Sequence, residues 1–184
     1  MKKILSIVCA IVVSLGAKAQ MGAVNTDLAM DALMAPSLGM EIVTGNKTSF
    51  GVNFIYAWKG MGKNIEATVV QPEFRYYLSN RPVHGIFMGL GAIGGRYNIE
   101  WKNKTYRGDA VGAGLTFGYV YNITRRLSLD FHAGYGAIYY NQKEHFVNSR
   151  YDEDSKEQGI TKANANGYYL LPTRIGISLS YVLK

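Results

Sequence analysis

His132, with Asp130 two residues before it and Ser128 two before that, supplies a base, an acid and a hydroxyl nucleophile. In a strand those three stack in a row about 7 Å apart, beyond the roughly 2.6–3.2 Å over which a base takes a proton. The spacing therefore gives no hydrolytic site by itself. Asp152, Asp154 and Glu157 offer three carboxylates, but they lack the glycine and the ligand order of a calcium loop and read as a solvated charge run. Asn46, Asn103 and Asn122 open N-x-Thr triplets that read as turn chemistry. Gly89–Gly95 is glycine-rich, yet no helix pattern follows it to cradle a phosphate. No catalytic set, metal site or cofactor is expected. What remains is a set of polar residues, Glu41, Gln71, Glu73, Arg75, Asp130, His132 and Arg174, each inside an otherwise apolar alternation.

The elements that hold this set are strands. Gly167–Lys184 alternates with period two: Tyr169, Leu171, Ile175, Ile177, Leu179, Tyr181 and Leu183 fall on one face, and Arg174, Gly176, Ser178 and Ser180 on the other. Upstream, Gly22–Leu28 is a weak first strand, and one helical turn over Ala29–Met34 stops at Pro36. Leu38–Val43 follows, then a tight turn at Thr44–Lys47, with Gly45 and Asn46 suited to positive φ. Ser49–Trp58 sets Phe50, Val52, Phe54, Tyr56 and Trp58 against Gly51, Asn53, Ile55 and Ala57. Ala67–Leu78 sets Val70, Phe74 and Tyr76 against Gln71, Glu73, Arg75 and Tyr77, with Pro72 marking a ladder defect. Gly85–Asn98 carries an expected bulge at Gly94-Gly95, and Arg107–Tyr121 and Leu127–Tyr140 complete eight strands. Their connections alternate between long (near 30–36, 59–65, 100–106 and 141–166) and short (44–47, 79–84 and 122–126). That is the pattern of an all-β, eight-stranded, antiparallel up-and-down transmembrane barrel, with both termini on the short-turn side.

Composition agrees. Lys2 and Lys3, the apolar run Ile4–Leu15 and Ala17-Lys18-Ala19 form a secretory leader cut before Gln20, leaving one barrel domain over 20–184. The only cysteine, Cys9, leaves with it, and loss of its three lysines takes the net charge from +7 to +4. A mild positive balance on an exported chain gives no case for nucleic acid. No mature segment approaches the 18 or so apolar residues of a helical span.

A soluble barrel alternates too, with its apolar face inward. Two features favour the inverse arrangement. The second face is too small and uncharged for a solvated exterior, as in Gly112-x-Gly114-x-Thr116-x-Gly118. Aromatics also gather at strand ends, where Tyr56, Trp58, Tyr76, Tyr77, Tyr119, Tyr121, Tyr139 and Tyr169 would form interfacial girdles. The polar set then points into a lumen that side chains can fill, where its charges must pair.

Arg174-x-Gly176-x-x-Leu179-x-Tyr181 resembles the carboxy-terminal signal read by the outer-membrane barrel assembly machinery. Ser37-Leu-Gly-Met-Glu41, Val70-Gln-Pro-Glu-Phe-Arg-Tyr-Tyr-Leu78, Gly89-Leu-Gly-Ala-Ile-Gly-Gly-Arg-Tyr-Asn98 and Pro172-Thr-Arg-x-Gly-x-Ser-x-x-Tyr181 resemble an outer-membrane family of Bacteroidetes-type bacteria, catalogued as a domain of unknown function. The resemblance spans the mature chain and implies the barrel fold and the outer membrane, but no activity. The family often has histidine where this chain has Gly91, and its members sometimes accompany surface-fimbria genes. The histidine-x-serine-asparagine run of lipid A deacylases does not follow Phe131. The expectation is a non-enzymatic outer-membrane barrel with a structural or surface-interaction role, such as adhesion. A narrow solute channel is the alternative, and a lipid-modifying enzyme the next. Its partners would be outer-membrane lipid, the assembly machinery, and a surface protein met through Asn141–Asn166.

Overall fold

In a computed structural model of the chain, residues 21–58, 65–101, 104–146 and 164–183 are described. The expected leader, most of the 59–65 loop and residues 147–163 of the long excursion lie outside them. Period-two alternation gives β1 (Gly22–Asp27), β2 (Ser37–Val43), β3 (Thr48–Trp58), β4 (Ile65–Tyr77), β5 (Gly85–Trp101), β6 (Lys104–Asn122), β7 (Leu127–Phe146) and β8 (Asn164–Val182), with one helix, α1 (Leu28–Ala32), between β1 and β2. Each strand pairs antiparallel with the next, and β8 returns to β1 from Ala23↔Val182 to Asp27↔Ser178, closing the barrel. The weak first strand is real because closure leaves neither of its edges unpaired.

Several boundaries differ from the sequence reading. The loop expected at 100–106 is strand on both arms, to Trp101 and from Lys104. β7 runs on to Phe146, and β8 begins at Asn164. Polar residues continue these hairpins because a ladder needs backbone groups, not apolar side chains. The turn at 44–47 closes through Thr44 N–H and Gly45 N–H to Thr48 O, without positive φ.

The bulge expected at Gly94-Gly95 is absent, since the β4–β5 and β5–β6 registers pass through both glycines unbroken. The β7–β8 register shifts instead between Gly134 and Tyr135, so that Thr173 is the extra residue between Pro172 and Arg174. Pro172 has no N–H to give the ladder, which makes its neighbourhood the natural place for an inserted residue. Pro72 interrupts its strand in another way, leaving Gln71 and Pro72 unpaired with β5 while the register holds. Beyond Thr173 the faces of β8 exchange. Tyr168, Leu170 and Pro172 pair with outward Tyr139, Ala137 and Tyr135, and Tyr169 and Leu171 turn inward with Ile138 and Gly136.

The barrel is uneven in height. β5 to β8 hold 17, 19, 20 and 19 residues, whereas β1 and β2 hold 6 and 7. Where β1 stops, Asp27 Oδ1 accepts from the backbone N–H groups of Ala29 (3.0 Å) and Met30 (3.3 Å), capping α1. Asp31 then ties the turn to β2 by accepting from Ser37 N–H at 2.9 Å and from the Thr26 hydroxyl at 2.6 Å.

At the short-turn end the lumen has an apolar floor of Ala23, Tyr77, Val83, Phe87, Val120 and Val182. The turn after β4 tucks Val83 into it with φ 55°, an unusual setting for a β-branched residue that packing must hold. Higher up, Gly114 and Gly136 oppose each other across β6 and β7, and a Cβ on Gly136 would collide with the Gly114 Cα and the Ala113 carbonyl. The two backbones approach too closely there to admit a side chain. Gly136→Ala should lower the urea midpoint by more than Ala137→Gly on the open outer face does; equal midpoints would show that this wall can relax.

Candidate functional site

The inward faces of five strands carry the polar set to one level of the lumen. β2 brings Glu41, β4 brings Glu73 and Arg75, β7 brings Asp130 and His132, β8 brings Arg174, and the end of β1 adds Asp27. All but Arg174 are almost wholly buried. Alternation alone aims them inward, so a slip of one residue in any strand would throw its charges onto the apolar exterior.

Arg75 is the centre. Its Nη1 lies 2.6 Å from Asp130 Oδ2 and 3.4 Å from Glu41 Oε2, and its Nε lies 2.8 Å from Glu73 Oε2. Its guanidinium also stands 4.3 Å above the Phe87 ring, which seats the charged layer on the apolar floor. Arg174 Nη1 reaches the same Glu73 oxygen at 2.6 Å, so that carboxylate is shared by two guanidiniums. Glu41 is held from below as well, accepting from Ser49 Oγ at 2.5 Å and Tyr77 OH at 2.6 Å. The cross-section is thus tied β2 to β4, β4 to β7 and β4 to β8. Just above, Gln71 Nε2 donates to the carbonyl of the bulged Thr173 at 3.1 Å, joining the two proline-marked stretches across the lumen.

His132 lies between two acids, with Nε2 3.3 Å from Asp27 Oδ2 and Nδ1 3.6 Å from Asp130 Oδ1. At those lengths the contacts are electrostatic more than well-formed hydrogen bonds. Both ring nitrogens face carboxylates, and the buried Ser128 hydroxyl has no hydrogen-bond partner among the described residues. The nucleophile–base contact that hydrolysis needs is not made. Among the described residues no group of three His, Cys, Asp or Glu side chains is arranged to hold a metal ion.

The structure brings all seven polar residues named from the sequence to this layer or its edge. Sequence reasoning missed three of their partners. Asp27 ends a strand too short to show its face, although an Asp before Leu28-Ala-Met is a helix-capping signal. Ser49 opens the Ser49–Trp58 alternation, and its parity with Gly51 and Asn53 was the only sign that its hydroxyl points inward. Tyr77 shares the inward face with Glu73 and Arg75 in the sequence reading but was also grouped with the boundary aromatics, so its bond was missed; it is 0% exposed and donates to Glu41.

In the closing strand, Arg174 and Gly176 face inward and Leu179 and Tyr181 outward. Gly176 has a local reason to be glycine, because a Cβ there would overlap the Asp27 carboxylate. Gly176→Ala should therefore displace Asp27 and unsettle both the α1 cap and the barrel seam. A lower urea midpoint, partly recovered by Asp27→Gly in the same chain, is the expected result; no recovery would mean the glycine acts elsewhere. Of the aromatics, Tyr56, Trp58, Tyr76, Tyr119 and Tyr121 are exposed on the outer wall. Tyr139 faces outward with Tyr168, ring centroids 5.0 Å apart. Tyr169 does not join them: the bulge turns it inward, where it stacks on Tyr140 at 5.3 Å.

Fold and site together define a closed eight-stranded β-barrel with an apolar outer wall and a lumen crossed by ion pairs. The chain belongs to the family described as a protein of unknown function (DUF3575), whose model matches residues 5–183. No curated protein and no solved structure matches it.

Proposed function

We propose that the protein is a small, non-enzymatic barrel of the bacterial outer membrane, exported by a leader cut before Gln20 and serving as a rigid scaffold for surface interaction. The observation that carries this reading is the inversion of polarity between wall and lumen. Leu38, Val70, Phe74, Leu90, Leu115 and Ile175 are exposed, while Glu41, Glu73, Arg75 and Asp130 are buried. In water that arrangement would leave an apolar surface far larger than a monomer tolerates.

The exterior also has the height of a bilayer. On β6 the apolar run lies between Tyr119 and the exposed Arg96–Asp109 pair, which is bonded at 2.9 Å. Ten residue steps at about 3.4 Å, tilted about 45°, rise about 24 Å, close to the apolar band of outer-membrane barrels. Tyr76, Tyr119 and Tyr121 mark its lower edge, and Tyr139 and Tyr168 its upper one.

A scaffold suits this lumen better than a conduit, because Arg75 and its three carboxylates fill one level and the floor around Val83 and Phe87 closes the next. A lipid-modifying enzyme would need a free base, and both His132 nitrogens face acids. The arms of β7 and β8 continue past the upper tyrosines to Phe146 and from Asn164. These arms carry both ends of Asn141–Asn166, our choice for the contact with a surface protein, since binding residues concentrate on segments held by a rigid frame.

Fractionation tests the reading. The protein should sediment with outer membranes and migrate faster on gels unheated than boiled. Protease added to intact cells should cut near Arg150 or Lys156 and leave the barrel standing. Recovery of a folded, detergent-free monomer from the periplasm would sink the proposal.

A further inference from the structure

The lumen changes character above the charged layer. Beyond Gln71 and Thr173, every inward position whose side chain is described is Gly, Ala, Val, Ile, Leu or Tyr. Val69, Ile93, Ile138 and Leu171 stand on four different strands around this space, with Gly112 and Gly114 between them. They are not packed shut. The first three are only half-buried, and Leu171 is 44% exposed although its register points it inward.

Among the described residues the wall is incomplete at the same level. β1 stops at Asp27 and β2 starts at Ser37, while β8 continues upward from Ser178 to Asn164 and β3 from Ile55 to Trp58. Two strands are missing between β8 and β3, a separation of three strand spacings or about 14 Å. Among the described residues only α1 and Leu33–Pro36 stand in that place, at its base. The lips of the opening are themselves apolar and exposed: Phe54 and Trp58 on one side, Leu170 on the other, Met34 below.

Resting on the membrane reading above, we propose that the upper lumen is a lipid-binding cup, which takes one acyl chain sideways from the bilayer between β3 and β8. The occupant follows from the surroundings. The opening lies within the apolar band, so hydrocarbon meets it directly, and walls without a charged or amide side chain among the described residues give ordered water little to bond. An acyl chain buries these walls at no polar cost, and the Arg174–Glu73 pair below limits its depth. The inward tyrosines Tyr97, Tyr140 and Tyr169 ring the top, near headgroup height, where such rings are favoured.

Tryptophan probes in vesicles with brominated acyl chains test this directly. With Trp58→Phe and Trp101→Phe in place, one protein carries Leu115→Trp on the outer wall and another carries Ile138→Trp inside the cup. Both are first checked for heat-modifiable mobility, and Leu171→Trp replaces the inner probe if Ile138→Trp does not fold. Leu115→Trp should be strongly quenched, and the inner probe should show at least half of that quenching, with little response to aqueous acrylamide. Less than half, with water or the chain's own outer segments in the cup, overturns the inference. An unquenched Leu115→Trp would instead overturn the membrane reading beneath it, so the two failures are told apart.

Discussion

Arg75→Ala is expected to cost about 3–5 kcal/mol of folding stability in lipid vesicles, the usual range when one partner of a buried ion pair is removed. The structure says which acid suffers most. Glu73 keeps Arg174 at 2.6 Å, and Glu41 keeps the hydroxyls of Ser49 and Tyr77. Asp130 loses its 2.6 Å partner and, among the described residues, retains the longer contact to His132. Adding Asp130→Asn to Arg75→Ala should therefore restore more stability than adding Glu73→Gln. A double-mutant cycle on urea unfolding measures both couplings. If these charges instead line a wet conduit, couplings near zero and a steady open-channel current from the unaltered protein would appear together. That outcome would replace the scaffold reading with a channel.

The ordering of those couplings rests on contact distances, whereas the membership of the network is largely legible in the sequence. Period two carries the face of every residue in an unbroken strand, which is why Glu41, Glu73, Arg75 and Asp130 could be aimed inward before any contact was known. The same rule fails past an inserted residue. Pro72 and Pro172 both signal trouble with a ladder, but only geometry tells that Pro72 skips its bonds in register while Pro172 lies beside the extra Thr173. Tyr169 and Leu171 were misplaced for that reason alone. Strand ends failed differently. Lys104, Thr105 and the polar run after Tyr140 are paired by backbone, and no side-chain pattern announces it. The inequality of β1 and β2 with β5–β8 was present in the loop spacing, yet its consequence, a wall open on one side, required the register.

The second large effect lies on the outer wall and depends on depth. Leu115 is 56% exposed, paired with Leu90 on β5 and Tyr135 on β7, near the middle of the run from Asp109 to Tyr119. A lysine at a bilayer midplane destabilises a barrel by about 2–4 kcal/mol, falling to about 0–1 near the interface. Leu115→Lys should therefore fall in the upper range in vesicles. Phe117→Lys, one outward step nearer the boundary, should cost less, and Tyr119→Lys little. Thr116→Ser, on the buried lumen side between them, keeps its hydroxyl and should stay close to the unaltered protein. Lysine can reach for the headgroups with its long stem, so depth is read from the gradient across the three positions more than from any single value. A soluble barrel predicts the reverse sign, because a lysine replacing exposed leucine in water is neutral or helpful. Equal stabilities for Leu115→Lys and the unaltered chain in vesicles would overturn the membrane reading, and the cup that rests on it would fall as well.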